Sequence, residues 1–119
     1  MSDHVSWIVE MAIGDGKLND LKALAKEMSD MTKSKEPGAL NYEWAVSEDG
    51  KKLTIYERYE NLAAVQAHMG NVGPTHIPKL MSMGQPTGFT VYGKVTPELK
   101  QVLANAHPTF MQDIAGFAR

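Results

Sequence analysis

The chain has no cysteine, and that absence excludes disulfides, thiolate metal sites and cysteine nucleophiles together. A charge excess is missing too. Twelve Lys+Arg stand against fourteen Asp+Glu, for a formal net charge of -2. The charges are spread along the chain instead of gathered into blocks, which argues against nucleic acid and against a membrane surface as partners. No stretch approaches the roughly 20 apolar residues that would span a bilayer. Met1-Ser2-Asp3-His4 is not a basic signal-peptide start, and Glu10 interrupts the first apolar run, so the expected location is cytoplasmic. Also absent are a Gly-rich phosphate loop, a Gly-x-Ser-x-Gly elbow, a His-Glu-x-x-His pair and an acidic calcium loop. What remains is 119 residues with 43% hydrophobic content. At the usual allotment of roughly 100–200 residues per domain this makes one domain, large enough to bury about two-thirds of its unfolded surface.

The apolar periodicity changes along the chain. Val5, Trp7, Val9, Met11 and Ile13 alternate with Ser6, Ile8, Glu10 and Ala12, the period of a strand. After Gly14-Asp15-Gly16 the spacing becomes Leu18, Leu21, Leu24, Ala25, Met28 and Met31, which predicts an amphipathic helix over Leu18 to Lys33 that ends before Glu36-Pro37-Gly38. Leu40 to Val46 and Leu53 to Tyr59 alternate again on either side of Glu48-Asp49-Gly50, a hairpin with Asp-Gly at its turn. Asn61 is a suitable N-cap for a second helix from Leu62 to about Gly70, broken by Gly70-Asn71-Val72-Gly73-Pro74. A short helical piece through His76 to Met81, a strand from Gly88 to Val95 and a helix from Pro97 to Ala106 follow. In the tail, Phe110, Met111, Ile114 and Phe117 fall at helical spacing. Strand, helix, strand, strand, helix, strand is the order of an α+β, ferredoxin-like split βαβ fold, with a four-stranded antiparallel sheet and helices on one face. Residues 1–95 form that unit, and 96–119 a helical extension packed on it or on a partner.

A hairpin centred on Asp49-Gly50 pairs Trp44 with Ile55 and Tyr42 with Glu57, all on one face. Trp7, Val9, Phe89 and Val91 join them, and this is the face the helices should cover. The opposite face carries Ile8, Glu10, Asn41, Glu43, Ala45, Tyr56, Arg58 and Tyr92, too aromatic for free solvent and too charged for a sealed core. It suits contact with a second copy, a homodimer through the sheet face.

Glu57 is the misfit on the inner face. A carboxylate among Tyr42, Trp44 and Ile55 needs a cation or hydrogen-bond donors for compensation, and His68, on the inner stripe of the second helix, is placed to supply them. The two form either an acid/base pair in a pocket between sheet and helices or a structural pair fixing that helix to the sheet. His76 is either a donor at the mouth of the same pocket or a loop histidine capping the next short helix. Arg58, diagonal to Glu43 across the hairpin, is expected in an interstrand or intersubunit ion pair. Trp7, Tyr42, Trp44 and Ile55 are candidates for binding a planar aromatic ligand, and core packing accounts for them equally well.

The stretch Glu36-Pro37-Gly38-Ala39-Leu40-Asn41-Tyr42-Glu43, then Tyr56-Glu57-Arg58-Tyr59 and Ala64-Val65-Gln66-Ala67-His68, resembles the antibiotic biosynthesis monooxygenase family over roughly residues 5 to 95. The resemblance implies a dimeric α+β barrel and a monooxygenase that uses no cofactor and no metal. Its substrates are implied to be O2 and a small aromatic molecule, a quinol or an anthrone-type phenol. Glu57 and His68 occupy the family's pattern positions and are implied as catalytic, with Trp7, Tyr42, Trp44, Ile55 and His76 around the substrate. A non-catalytic or isomerase-like module binding a small metabolite is the alternative. The haem-degrading branch of the family fits less well, since neither tryptophan falls in the second helical region. The segments 70–74 and 96–119 depart from the common pattern and imply a reshaped or lidded pocket.

Overall fold

The computed structural model describes residues 3–119. β1 (Val5–Ile13), β2 (Ala39–Val46), β3 (Lys52–Tyr59), β4 (Gly84–Gly93) and β5 (Thr109–Gln112) form one sheet, with α1 (Leu18–Lys35), α2 (Leu62–Val72), α3 (His76–Met81) and α4 (Pro97–Leu103) between them. The strand order is β2-β3-β1-β4-β5. The first four strands are antiparallel neighbours in the ferredoxin-like arrangement, and β5 is added parallel to β4. The sheet is therefore mixed and five-stranded, and the tail from His107 onward forms a strand and no helix, against its helical spacing. What decides is the open edge of β4, whose backbone groups need partners and find them in residues 109–112.

The hairpin register is as its turn demands, with Trp44 opposite Ile55 and Tyr42 opposite Glu57. On β1, Trp7 lies between Glu57 and Val91, and Val9 between Ile55 and Phe89. The inner face is thus the predicted one. β4 begins at Gly84, not Gly88, because a bulge between Glu10 and Met11 lets Pro86 and Gly84 stay in register with β1.

α1 buries Leu21, Leu24, Met28 and Thr32 at three- and four-residue steps. It stops where Pro37 disfavours helical backbone in the residue before it. Glu36 accordingly has φ -128 and ψ 82, while its N–H still closes the last turn onto the Thr32 carbonyl at 3.0 Å. In α2 the Asn61 side chain caps the N-terminus by accepting from the Ala64 N–H at 3.0 Å. The helix does not break at Gly70 but continues to Val72. A single interior glycine costs about 1 kcal/mol, and Val72, wholly buried, outweighs it.

Two core clusters result. Met11, Leu24, Met28, Leu53, Ile55, Val72 and Leu80 belong to one, and Val5, Trp7, Tyr59, Val65, Val91, Leu99 and Leu103 form the other. Leu99 and Leu103 come from α4, so this part of the extension packs on its own chain. Gly38 lets the start of β2 approach α2: a Cβ there would lie 2.7 Å from the Cβ of Ala64. No helix among the described residues is long and apolar enough to cross a membrane.

Candidate functional site

A cavity of about 540 Å³ lies between the inner face of the sheet and the helices. Its floor is Trp7, Val9, Ile55 and Phe89, and α2, α3 and α4 supply its walls with Met69, Val72, Ile77, Leu80, Val102 and Leu103. Tyr42, Glu57 and His68 put polar groups into this apolar lining, and Asn105 and His107 stand at its exposed rim. A volume of this order suits a small organic ligand.

His68 lies between two carboxylates. Its Nδ1 is 2.9 Å from Glu36 Oε1 and its Nε2 is 3.3 Å from Glu57 Oε1. All three side chains are buried: His68 is 3%, Glu57 4% and Glu36 6% exposed. Neighbours complete the arrangement. Tyr59 donates its hydroxyl to Glu57 Oε1 at 2.5 Å, and Asn71 donates from Nδ2 to Glu36 Oε2 at 2.7 Å. The rings of Tyr42 and Tyr59 flank the imidazole at centroid distances of 5.2 and 5.1 Å.

The local sequence explains why these groups meet. Period-2 alternation on β3 sends Glu57 and Tyr59 to the same inner face. The helical step from Val65 to His68 turns the imidazole toward the sheet, and the Pro37 break delivers Glu36 to its other edge. Each charge is then compensated from two sides, as buried charges require.

Burial opposes the charged imidazole, but the hydrogen bond and charge of Glu57, with those of Glu36, outweigh it and hold the His68 pKa above 6.5. The tyrosines also stay protonated. Burial first, and then the Glu57 charge, raise both Tyr42 and Tyr59 far above the usual phenol value. Thr32 Oγ1 and Trp44 Nε1 are buried without a hydrogen-bond partner in bonding geometry, although both lie near enough to the Tyr42 hydroxyl to oppose part of that rise. Chemically, the cluster can accept a proton from a ligand in the cavity at Glu57 and hold an imidazolium beside the anion that forms.

The structure brings Trp7, Tyr42, Ile55, Glu57 and His68 to the cavity. Two expected ligand contacts go elsewhere. Trp44 packs edge-to-face on Tyr42 against the first core cluster, and His76, at the start of α3, points its Nε2 to Glu27 Oε2 of α1 at 3.1 Å. Neither is among the lining residues. Arg58 does not pair with Glu43; its Nε donates to Asn41 Oδ1 at 2.8 Å and its Nη1 lies 3.2 Å from His4 Nδ1. Sequence reasoning misses Glu36, Tyr59 and Asn71 as members of the cluster. For Glu36 the one signal is Pro37 behind it, which marks the end of the helix but does not reveal which way the carboxylate turns. Among the described residues no group of three His, Asp or Glu is placed to hold a metal ion.

The sequence model of the antibiotic biosynthesis monooxygenases matches residues 5–74. This chain belongs to that family. The fold is shared with MupZ from Pseudomonas fluorescens, at a TM-score of 0.87 and 22% identity over 100% of this chain and 91% of that one. SnoaB from Streptomyces nogalater, a cofactor-independent oxygenase, matches at a TM-score of 0.65 and 10% identity, over 81% of this chain and 95% of its own. Rv0793 from Mycobacterium tuberculosis matches at a TM-score of 0.61 and 24% identity, over 78% and 96%. No curated protein matches this chain. The family segment contributes Glu36, Glu57 and His68, whereas much of the cavity wall, from Ile77 to His107, comes from the residues after it.

Because the folded-state pKa of His68 is above its ordinary 6.5, its contribution to stability is full below pH 6.5 and disappears as the pH rises through the folded value. Urea denaturation from pH 5.5 to 9 is expected to show the midpoint falling above pH 6.5 in the wild type and not in His68→Gln. Parallel profiles would contradict the ion pairing.

Proposed function

We propose that this protein is a monooxygenase that needs no prosthetic group and oxidises a small planar phenolic, quinol or anthrone-type substrate with O2. The observation that supports this reading is the buried Glu57–His68 pair in the wall of an otherwise apolar cavity. In water the hydroxyl or activated methylene of such a substrate ionises reluctantly. Beside Glu57 its proton has an acceptor, and the imidazolium of His68 offsets the charge left on the ring.

An electron-rich anion of this kind reduces O2 directly, so the protein's task is to take the proton, orient the ring and exclude water. For an anthrone the balance is complete without an added reductant. The methylene becomes a carbonyl, one oxygen atom stays in the product and the other leaves as water, and the four electrons removed from carbon are those O2 accepts. Tyr42 remains protonated and can donate to the developing oxyanion. Trp7, Ile55 and Phe89 form the flat apolar bed on which the ring lies. Membership of the family and the likeness to SnoaB, a cofactor-independent oxygenase, support the same chemistry.

We further propose a homodimer through the outer sheet face. Tyr56, Tyr92 and Met111 there are 37%, 38% and 48% exposed, on a face where covering by a second copy would bury them together. Sedimentation at micromolar concentration is expected to give twice the 13.1 kDa chain mass; a monomer would contradict this assembly.

Oxygen uptake by metal-free protein with a panel of hydroquinones and anthrones tests the activity. Uptake is expected, with Glu57→Gln and His68→Ala each losing about 10²–10⁴-fold while remaining folded. No uptake with any of the panel overturns the reading and leaves a module that binds or isomerises a small metabolite in the same cavity.

A further inference from the structure

The charges around the cavity are unequal in sign. Two carboxylates, Glu36 and Glu57, share one imidazole, so the buried cluster carries one negative charge with His68 protonated and two without. Tyr42 and Tyr59, packed on the same imidazole, stay neutral. No lysine or arginine is found among the lining residues. His107 is the remaining titratable group of the lining, and it stands at the exposed rim, where an anion gains little over its hydration in water. An anion entering the depth of this cavity would lose its hydration and meet net negative charge.

Glu36 does not line the cavity, yet it sets this balance. It grips the imidazole at Nδ1, and Asn71 fixes its other oxygen. The ring is thereby oriented with Nε2 toward Glu57 and the ligand, in the manner of the carboxylate that orients a catalytic histidine from behind. Replacing Glu36 by glutamine keeps an acceptor for Nδ1–H and removes one negative charge.

We propose that the Glu36–His68–Glu57 cluster makes the cavity select uncharged ligands over their anionic counterparts, with Glu36 as the positioning residue that enforces the selection from outside the cavity. The substrate class that follows is a neutral weak acid, bound with its proton and ionised only in place. The inference rests on the cavity being the ligand site assigned under the proposed function, but it requires no turnover.

Calorimetric titration with two ring-matched probes at pH 7, 2-naphthol and 2-naphthoate, measures the selection. The wild type is expected to bind 2-naphthol at least tenfold more tightly than 2-naphthoate. Glu36→Gln should narrow that ratio by about tenfold and lower the titration midpoint of the His68 ring in NMR, whereas Glu36→Asp, which keeps the charge, should preserve both. Should Glu36→Gln fail to fold, the wild type still decides. In a His107→Asn background, whose asparagine tolerates the left-handed backbone found at that position, 2-naphthoate affinity should fall further as the pH rises through the His68 titration. Equal binding of the two probes by the wild type, an unchanged ratio in folded Glu36→Gln, or a flat pH series overturns the proposal. A normal probe ratio without oxygen uptake would instead sink the oxygenase reading and leave the selection standing.

Discussion

A buried imidazole held between two carboxylates inside an apolar layer is the constraint around which the rest of this chain is arranged. Removing one partner from such a buried group typically costs about 3–5 kcal/mol, because the charges left behind have no water to turn to. Three separate pieces of chain must therefore agree. The end of α1 delivers Glu36, β3 delivers Glu57, and α2 delivers His68. Each arrives by a local rule: proline ends one helix, strand alternation aims one carboxylate inward, and an asparagine cap starts the other helix at the right phase. Gly38, pressed against Ala64, keeps the first and third of these close.

Much of this is legible in the amino-acid order. The Asp49-Gly50 turn dictates the register that sets Tyr42 opposite Glu57, and once the faces are assigned, a lone glutamate among aromatic residues requires a partner on the helix above it. Other features are hidden because they depend on tertiary pairing. Glu36 belongs to no periodic segment, so its inward turn shows only when α2 is in place. The tail from Phe110 onward carries a pattern readable as helix, and the unpaired edge of β4, a property of the assembled sheet, makes residues 109–112 a strand. His76 and Trp44 are drawn toward the cavity by residue type alone. Glu27 on a neighbouring helix claims the one, and packing on Tyr42 claims the other.

The division of the cavity between two stretches of chain separates two tasks. Glu36, Glu57 and His68 lie within the segment shared with the family, and most of the enclosing wall follows it, in α3, β4 and α4. Substitutions in the later stretch can reshape what fits without disturbing the Glu36–His68–Glu57 cluster, which is how one fold serves many ligands. Fold similarity to MupZ extends over the whole of this chain, the later stretch included.

The two buried carboxylates that face His68 hold its pKa above the ordinary value. Following the His68 ring resonances by NMR as the pH is varied tests this directly. A titration midpoint above 6.5 is expected for His68 in the folded wild type, with the proton retained on both ring nitrogens below it. A midpoint at or below 6.5 would mean that burial has won over the carboxylates, and would contradict it.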